Sequence, residues 1–380
     1  MSRLPDLLAT LRASTPAMVA DTTALCQVES PSDDLAATTT CADLAAEIGT
    51  RLVGRPPQRL TEQGRVSLLW PAAPGGLLLL GHLDTVWPVG TLARWPMTVV
   101  DGRLSGPGVF DMKAGVVQGL YALATLRAFG APAAAGMLLT TDEEIGSPSS
   151  RALIERVAAD HRGVLVLEAS AAGALKTGRK GVSLYRVELH GRAAHAGLEP
   201  ERGVNALVEL AHQVTAMTAL ADPAAGTTVT PTVASAGSTT NTVPARAEIR
   251  VDVRAASRAE QDRVHAALRA LTPVLPGARL NLFGGPNRPP MEPGQAADLL
   301  AVAGRVAADL GLPVLRGVSV GGGSDGNFTA GIGVPTLDGM GAVGDHAHAE
   351  GEYVTVTAMP ERAALVAGLV LASDGFEPAG

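Results

Sequence analysis

Aromatic residues are scarce in this chain: 3 Trp, 3 Tyr and 5 Phe among 380 residues, or 3%. The core must therefore be aliphatic and rich in alanine. Cysteine is nearly absent. Cys26 and Cys41 lie in the N-terminal region, far in sequence from the acid and histidine clusters described below. That excludes a disulfide framework and a thiolate metal site, and leaves two buried or incidental thiols. An excess of positive charge is also missing. The formal net charge is -7, which argues against nonspecific nucleic-acid binding, since that needs a basic surface. No apolar run approaches the length needed to cross a membrane. Residues 1–20 carry Asp6, Arg12 and two prolines and lack the continuous apolar core of a signal peptide, so a cytoplasmic protein is expected. Convincing internal repeats are absent too. At 380 residues the chain is long enough for two domains and a sizeable core.

What is present begins with Leu77-Leu78-Leu79-Leu80-Gly81-His82-Leu83-Asp84. An apolar run between glycines suits a strand covered on both faces. Residues two apart on a strand share a face, so His82 and Asp84 point the same way. The pair suits a metal ligand and the carboxylate that orients it. Two more apolar runs, 137–141 and 164–167, are also followed directly by acids. Helical patterns occupy 7–28, 38–52 and 114–129. Strands alternating with helices predict an α/β fold, a mixed, mostly parallel sheet with helices on both faces. Near Gly181 the texture changes. Strand-like segments 182–189, 228–233, 247–253 and 279–283 surround helical segments 204–220 and 258–271. In 182–189 the pattern alternates, with Tyr185, Val187 and Leu189 on one face. A Pro/Gly-rich passage follows at 284–293. Then a helix (296–310) and a strand (314–320) resume the first texture. The expected organisation is one domain from 1–180 and 291–380, with a smaller α+β domain, 181–290, inserted into it.

Five places put acids or histidines where strands end: His82 with Asp84, Asp111, the pair Glu143-Glu144, Glu168, and His346/His348. In open α/β sheets ligands bind outside the carboxyl ends of strands. Two histidines and three carboxylates can serve two divalent ions, with one carboxylate bridging. Imidazole and carboxylate without thiolate suit zinc, cobalt or manganese. Two ions roughly 3.5–4 Å apart activate a shared water and polarise a carbonyl. One acid is then left over, and hydrolysis needs a general base. On an extended backbone the adjacent Glu143 and Glu144 point opposite ways, one to metal and one to water. His161, His190, His212 and His265 lack any such context and read as surface or helix-face residues. Trp87 and Trp95 read as packing at a pocket rim.

Three segments carry a resemblance: Gly81-His82-Leu83-Asp84-Thr85-Val86, Gly106-Pro107-Gly108-Val109-Phe110-Asp111-Met112-Lys113-Ala114-Gly115, and Thr141-Asp142-Glu143-Glu144. Together they resemble the di-zinc M20 metallopeptidase family, in particular its glutamate carboxypeptidase branch, from about residue 75 to the C-terminus. The resemblance implies a zinc-exopeptidase-like catalytic domain holding two Zn2+, with Co2+ or Mn2+ as substitutes. It implies His82 and Glu168 on one ion, Glu144 and a C-terminal histidine on the other, Asp111 bridging, Glu143 as general base, Asp84 as the partner of His82, and a cis peptide after Asp111. Two features depart from the pattern. The family's last ligand lies in a Gly-x-His-x-x-x-Glu-Tyr-Val segment, and counting back from Glu352-Tyr353 favours His348 over His346. Met112 stands where the branch carries an acid.

The insert resembles the family's lid, which also dimerises, so a homodimer through 181–290 is implied. His195, in Gly191-Arg192-Ala193-Ala194-His195-Ala196-Gly197, matches a turn histidine that stabilises the developing oxyanion. Asn241 and Arg254 match positions that hold a substrate carboxylate, a task that suits the bidentate fork of arginine. Gly321-Gly322-Gly323-Ser324-Asp325 matches a loop lining the pocket, with Gly323 as a backbone contact. The expected activity is release of a C-terminal amino acid, glutamate first, from a small peptide or N-acyl amino acid. The alternatives are an aminoacylase, a hydrolase of a non-peptide amide such as a carbamoyl or toxin conjugate, and a metal-dependent binding protein without turnover.

Overall fold

A computed structural model describes residues 4–131 and 134–372. The chain divides into two compact units. One takes the residues up to Gly178, Pro293–Val320 and Ser324 onward; the other takes Arg179–Glu292 with Gly321–Gly323.

The first unit is organised by a six-stranded sheet. Its order is Gln58–Glu62, Arg65–Trp70, Ala135–Thr140, Leu77–His82, Gly163–Val166, Thr336–Leu337. The last four strands run parallel; the first two form an antiparallel hairpin at the edge. Leucines 77 to 80 are fully buried because helices cover both faces. On one face Leu153, Ile154 and Ala158 of helix Arg151–Ala159 pack on Leu78, Leu80, Leu138, Val164 and Val166. On the other lies helix Ala114–Ala128, drawn so close that a Cβ on Gly115 would sit 2.1 Å from the Leu167 carbonyl oxygen. From the central strand, Leu77–His82, the chain goes first to a neighbour on one side and then to one on the other. That reversal is the switch point at which α/β sheets open a crevice.

A smaller sheet in this unit carries no signal in the sequence. Strands of two or three residues, Thr98–Val100, Arg103–Ser105, Tyr353–Thr355 and Gly344–Asp345, pair antiparallel. They lash the segment carrying His346 and His348 to the chain just before Asp111. The edge hairpin is equally unannounced; it is turned at Gln63 (φ 51) and Gly64 (φ 83). The helix expected at 7–28 is two helices, Leu4–Ala13 and Thr15–Gln27. Pro16 is the reason. Inside a helix it would remove a hydrogen bond and clash, but at the start of a new helix it is tolerated.

The second unit is a four-stranded antiparallel sheet ordered Thr228–Ala236, Arg246–Ala255, Gly181–His190, Arg279–Arg288. Helices Ala206–Thr218 and Arg258–Arg269 supply Leu210, Met217, Val264 and Leu268 to a core with Tyr185, Val187, Leu189, Ile249 and Val251. The alternation of 182–189 is thus realised, with Leu184 and Phe283 left exposed. Among the described residues no helix is long and apolar enough to cross a membrane.

Candidate metal centre

The ends of the three central strands deliver the site. His82 is the last residue of its strand, Glu143-Glu144 follow the end of Ala135–Thr140, and Glu168 lies two residues past Val166. Asp111 sits in the turn 106–113, which opens helix Ala114–Ala128, and its peptide bond to Met112 is cis. His348 comes from the small sheet's C-terminal loop.

These side chains sort into two groups around Asp111. His82 Nε2 lies 3.3 Å from Asp111 Oδ1 and 3.6 Å from Glu168 Oε1. His348 Nε2 lies 3.2 Å from Asp111 Oδ2 and 3.1 Å from Glu144 Oε2. The two oxygens of one carboxylate thus face two different histidines, each with its own glutamate. Glu143 belongs to the same cluster, within 4.8 Å of His82 and Glu168.

His346 takes no part. It is exposed, and its ring lies 6.3 Å from that of Tyr353. Both histidines adopt left-handed backbone, φ 69 at His346 and φ 62 at His348. Such a conformation is uncommon for a side-chain-bearing residue and clusters at functional sites.

Asp84 holds the two groups in register. Its carboxylate accepts from the backbone N–H of Glu143 (3.2 Å) and of Glu144 (3.1 Å), and from Ser32 Oγ (2.6 Å). His82 Nδ1 lies 3.0 Å from the Asp84 carbonyl oxygen and 3.4 Å from its carboxylate. Asp84 thus lies against the His82 imidazole, and the same carboxylate also bonds the backbone of both glutamates. That explains a difference from expectation. Residues Glu143–Ile145 form a short helical turn closed at Gly146, not an extended segment. A turn presents consecutive N–H groups to one acceptor, which a strand cannot do. Met112 is buried beside the same strand, its sulfur 3.4 Å from the His82 backbone nitrogen.

The electrostatics are those of a cation site. Burial disfavours a charged His82, yet Asp111, Asp84 and Glu168 together hold its imidazole well above the ordinary value. Asp111 and Glu144 lift His348 to about 11. Against a burial cost, His348 and His82 press Asp111 well below the carboxylate range. Burial raises Glu144, helped by the charge of Asp111 and opposed by His348. In the polypeptide alone, then, the surrounding acids favour the protonated form of both imidazoles. Divalent metals displace such protons on binding. The fit is also visible in unmet bonds: His82 Nε2 and Glu144 Oε1 are buried with no hydrogen-bond partner. Imidazole and carboxylate donors without sulfur suit zinc, cobalt or manganese.

One residue of the site is visible in the sequence only as a marker of register. Glu352 is fully buried. Its carboxylate accepts from the backbone N–H of Gly108 (3.0 Å), Phe110 (2.7 Å) and Asp111 (3.0 Å) and from Trp87 Nε1 (2.9 Å). Burial raises its carboxyl, and these donors pull it back part way. Its spacing of four residues from His348 is the only local signal. Trp87 packs edge-on against Trp95 at 5.2 Å.

The second unit brings other expected residues together locally. His195 is exposed, and its Nδ1 accepts from the N–H of Gly197 and Leu198, each at 3.1 Å. An accepting Nδ1 leaves Nε2 as the donor. Asn241 lies beside this turn, its carbonyl accepting from Ala196 N–H at 2.9 Å. Arg254 makes a bidentate pair with Asp252, at 2.7 and 2.8 Å. Gly323 and Gly322 turn their carbonyls to Arg179, at 3.2 and 3.1 Å. Of the histidines read as surface or helix-face residues, His265 lies on helix Arg258–Arg269 and meets the Tyr185 hydroxyl at 2.8 Å. Cys26 and Cys41 are buried free thiols, as expected.

Residues 78–372 match the peptidase family M20/M25/M40. Carboxypeptidase G2 of Pseudomonas sp. (strain RS-16) is 35% identical over 305 residues, which span 78% of this chain and 73% of that protein. Succinyl-diaminopimelate desuccinylase 2 of Shewanella loihica is 32% identical over 248 residues, 59% of this chain and 65% of that protein. Among solved structures, aminopeptidase PepT from Bacillus cereus ATCC 10987 superposes with a TM-score of 0.74 at 20% identity, covering 94% of this chain and 98% of that one. At that identity the likeness speaks for the fold alone.

Proposed function

The chain belongs to peptidase family M20/M25/M40, and from that premise we propose that this enzyme is a two-metal carboxypeptidase releasing glutamate from a peptide or an N-acyl-glutamate. The observation that carries the two-metal reading is the division of Asp111, one oxygen toward His82 and the other toward His348. His82 and Glu168 would hold one zinc, Glu144 and His348 the other, and Asp111 would bridge. When bound, such a pair supplies a water of lowered pKa and polarises the scissile carbonyl.

The chain's own groups do the rest. The Glu143 carboxylate takes a proton from the attacking water and returns it to the leaving amine nitrogen. Asp84 fixes Glu143 through its backbone N–H, so the base is aimed before substrate arrives. His195 would stabilise the oxyanion through its Nε2 proton, which the Nδ1 contacts keep in place. Arg254 would hold the substrate carboxylate, with Asn241 and the backbone of Gly323 as further contacts. That exchange requires Arg254 to leave or share Asp252, and the bidentate geometry it already makes is the one it would offer a ligand. The proposal extends to a cytoplasmic homodimer joined through 181–290.

A second reading shares this machinery: an amidohydrolase that removes an acyl group from an N-acyl amino acid. The similarity to a desuccinylase supports it. Amino-acid release from N-acyl-glutamates, dipeptides and N-acetyl amino acids separates the two. Glutamate release from several acyl donors supports the carboxypeptidase; cleavage that follows the acyl group and ignores the amino acid supports the amidohydrolase. Unchanged hydrolysis after exhaustive chelation removes both.

A further inference from the structure

We propose that Glu352 is a positioning residue of the metal centre, a carboxylate whose bonds to the backbone set where Asp111 and His348 stand relative to each other. The inference rests on the two-metal reading above. Its basis is geometric. Oε1 accepts from the N–H groups of Phe110 and Asp111, and Oε2 from those of Gly108 and the Trp87 indole. Three of these four donors belong to the turn that carries Asp111. Glu352 itself closes the turn that carries His348, through its own N–H to the Ala349 carbonyl; Ala349 N–H in turn bonds the His346 carbonyl. Its backbone carbonyl accepts from Gly106 N–H and Ser105 Oγ. One residue thus joins two segments separated by more than two hundred positions, and those two segments supply the ligands facing each other across 3.2 Å.

The turn is shaped for this acceptor. Gly108 is left-handed at φ 72, and a Cβ there would meet Thr85 Cγ2 at 2.6 Å. With Gly108 in that conformation, the N–H groups of Gly108, Phe110 and Asp111 converge into a small concavity of the kind that binds anions. Here the anion is an internal carboxylate. Four charge-assisted bonds compensate its burial. An amide cannot replace it. A glutamine at this position would keep one accepting oxygen and would turn an NH2 group toward two of the four donors, leaving buried N–H groups unpaired.

The test compares wild type, Glu352→Gln and Trp87→Phe. Zinc affinity is read by competition with a chromophoric chelator, and amide exchange over residues 106–113 is read in the metal-free protein. The expected result is a 10- to 100-fold loss of zinc affinity in E352Q, the range for residues that support ligands from behind, with faster exchange in 106–113. Trp87→Phe removes a donor from outside the turn and should cost only a few-fold. Wild-type zinc affinity in folded E352Q overturns the proposal, even if its melting temperature has dropped, because a purely structural role would move stability alone. Should E352Q fail to fold, wild-type exchange decides: protection of 106–113 equal to the central strands supports the clamp, and exchange as fast as surface loops overturns it. If wild type binds no divalent metal, the two-metal reading falls; the exchange measurement still judges the clamp.

Discussion

Charged side chains are placed in opposite ways in the two units. In the first, His82, Asp84, Asp111, Glu143, Glu144, Glu168 and Glu352 gather near the ends of parallel strands, mostly buried, with His82 Nε2 and Glu144 Oε1 lacking any hydrogen bond. In the second, Arg186, Glu188, Glu248, Arg250, Asp252 and Arg254 lie along the antiparallel sheet and pair with one another in partial contact with water. Glu209, an acid fully buried in the second unit, is satisfied by the N–H groups of Val274 and Leu275 and by Gln213. Burying a charge is costly unless it is paired, hydrogen-bonded or bound to metal. Buried acids that answer only to the fold therefore end in N–H donors, as Glu209 and Glu352 do. Asp111 and Glu144 instead face His82 and His348, a cluster of groups of the kind that holds a metal ion.

The contrast can be broken at several points. Glu143→Gln should lower kcat by about 10²–10⁴ while leaving bound metal unchanged, measured by steady-state kinetics beside elemental analysis. Equal kcat would remove Glu143 from the chemistry. Asp84→Asn should act through the site's geometry instead, lowering metal affinity by about 10- to 100-fold, with a smaller loss of kcat once metal saturates. Metal titration against a competing chelator measures it; no change would mean that Asp84 positions neither ligand.

Away from His195, Asn241, Arg254 and Gly323, the charged groups of the second unit should respond only in stability. Burial pushes the Glu209 carboxyl up, but the N–H groups of Leu275 and Val274 and the Gln213 amide hold it below its ordinary value. Its folded pKa is depressed, so its contribution is full above the ordinary carboxylate range and fades as pH falls through the lowered value. Glu209→Gln should cost about 1–3 kcal/mol at neutral pH and flatten the acid limb of a urea-midpoint profile. A profile parallel to wild type would contradict that. The smallest effect is expected at Arg186, whose partners Glu188 and Glu248 are partly exposed. Arg186→Ala should change stability by no more than about 0.5 kcal/mol and leave kcat/KM as it was. A tenfold loss of kcat/KM would show that this surface network does more than solvate a sheet.

Much of the first unit was legible because burial leaves a simple mark on sequence. Apolar runs ending in acids at 77–84, 137–144 and 164–168 became three adjacent strands whose ends meet. The alternation of 182–189 became a sheet with one covered face. What escaped notice was whatever long-range pairing alone defines. The strands Arg103–Ser105 and Tyr353–Thr355 are three residues each and carry no periodic signal, yet they bring the C-terminal loop to Asp111. The turn at Glu143–Ile145 read as extended because nothing local announces that Asp84, 59 residues earlier, accepts its N–H groups.

By itself the sequence determined which chemistry was possible. Ligand-type residues stood at the ends of buried strands, thiolates stood elsewhere, and one acid exceeded the number a metal pair needs. Strand runs and strand ends are local properties, set by burial and by the period of the backbone. Tertiary structure decided the rest. His348 and not His346 reaches Glu144 and Asp111, because a left-handed turn tied to residues 103–111 aims it there. Asp84 serves four partners instead of one, and Glu352 turns from a landmark in the sequence into a buried acceptor. Each of these depends on hydrogen bonds between residues dozens to hundreds of positions apart, and the fold brings such partners together where no local pattern records them.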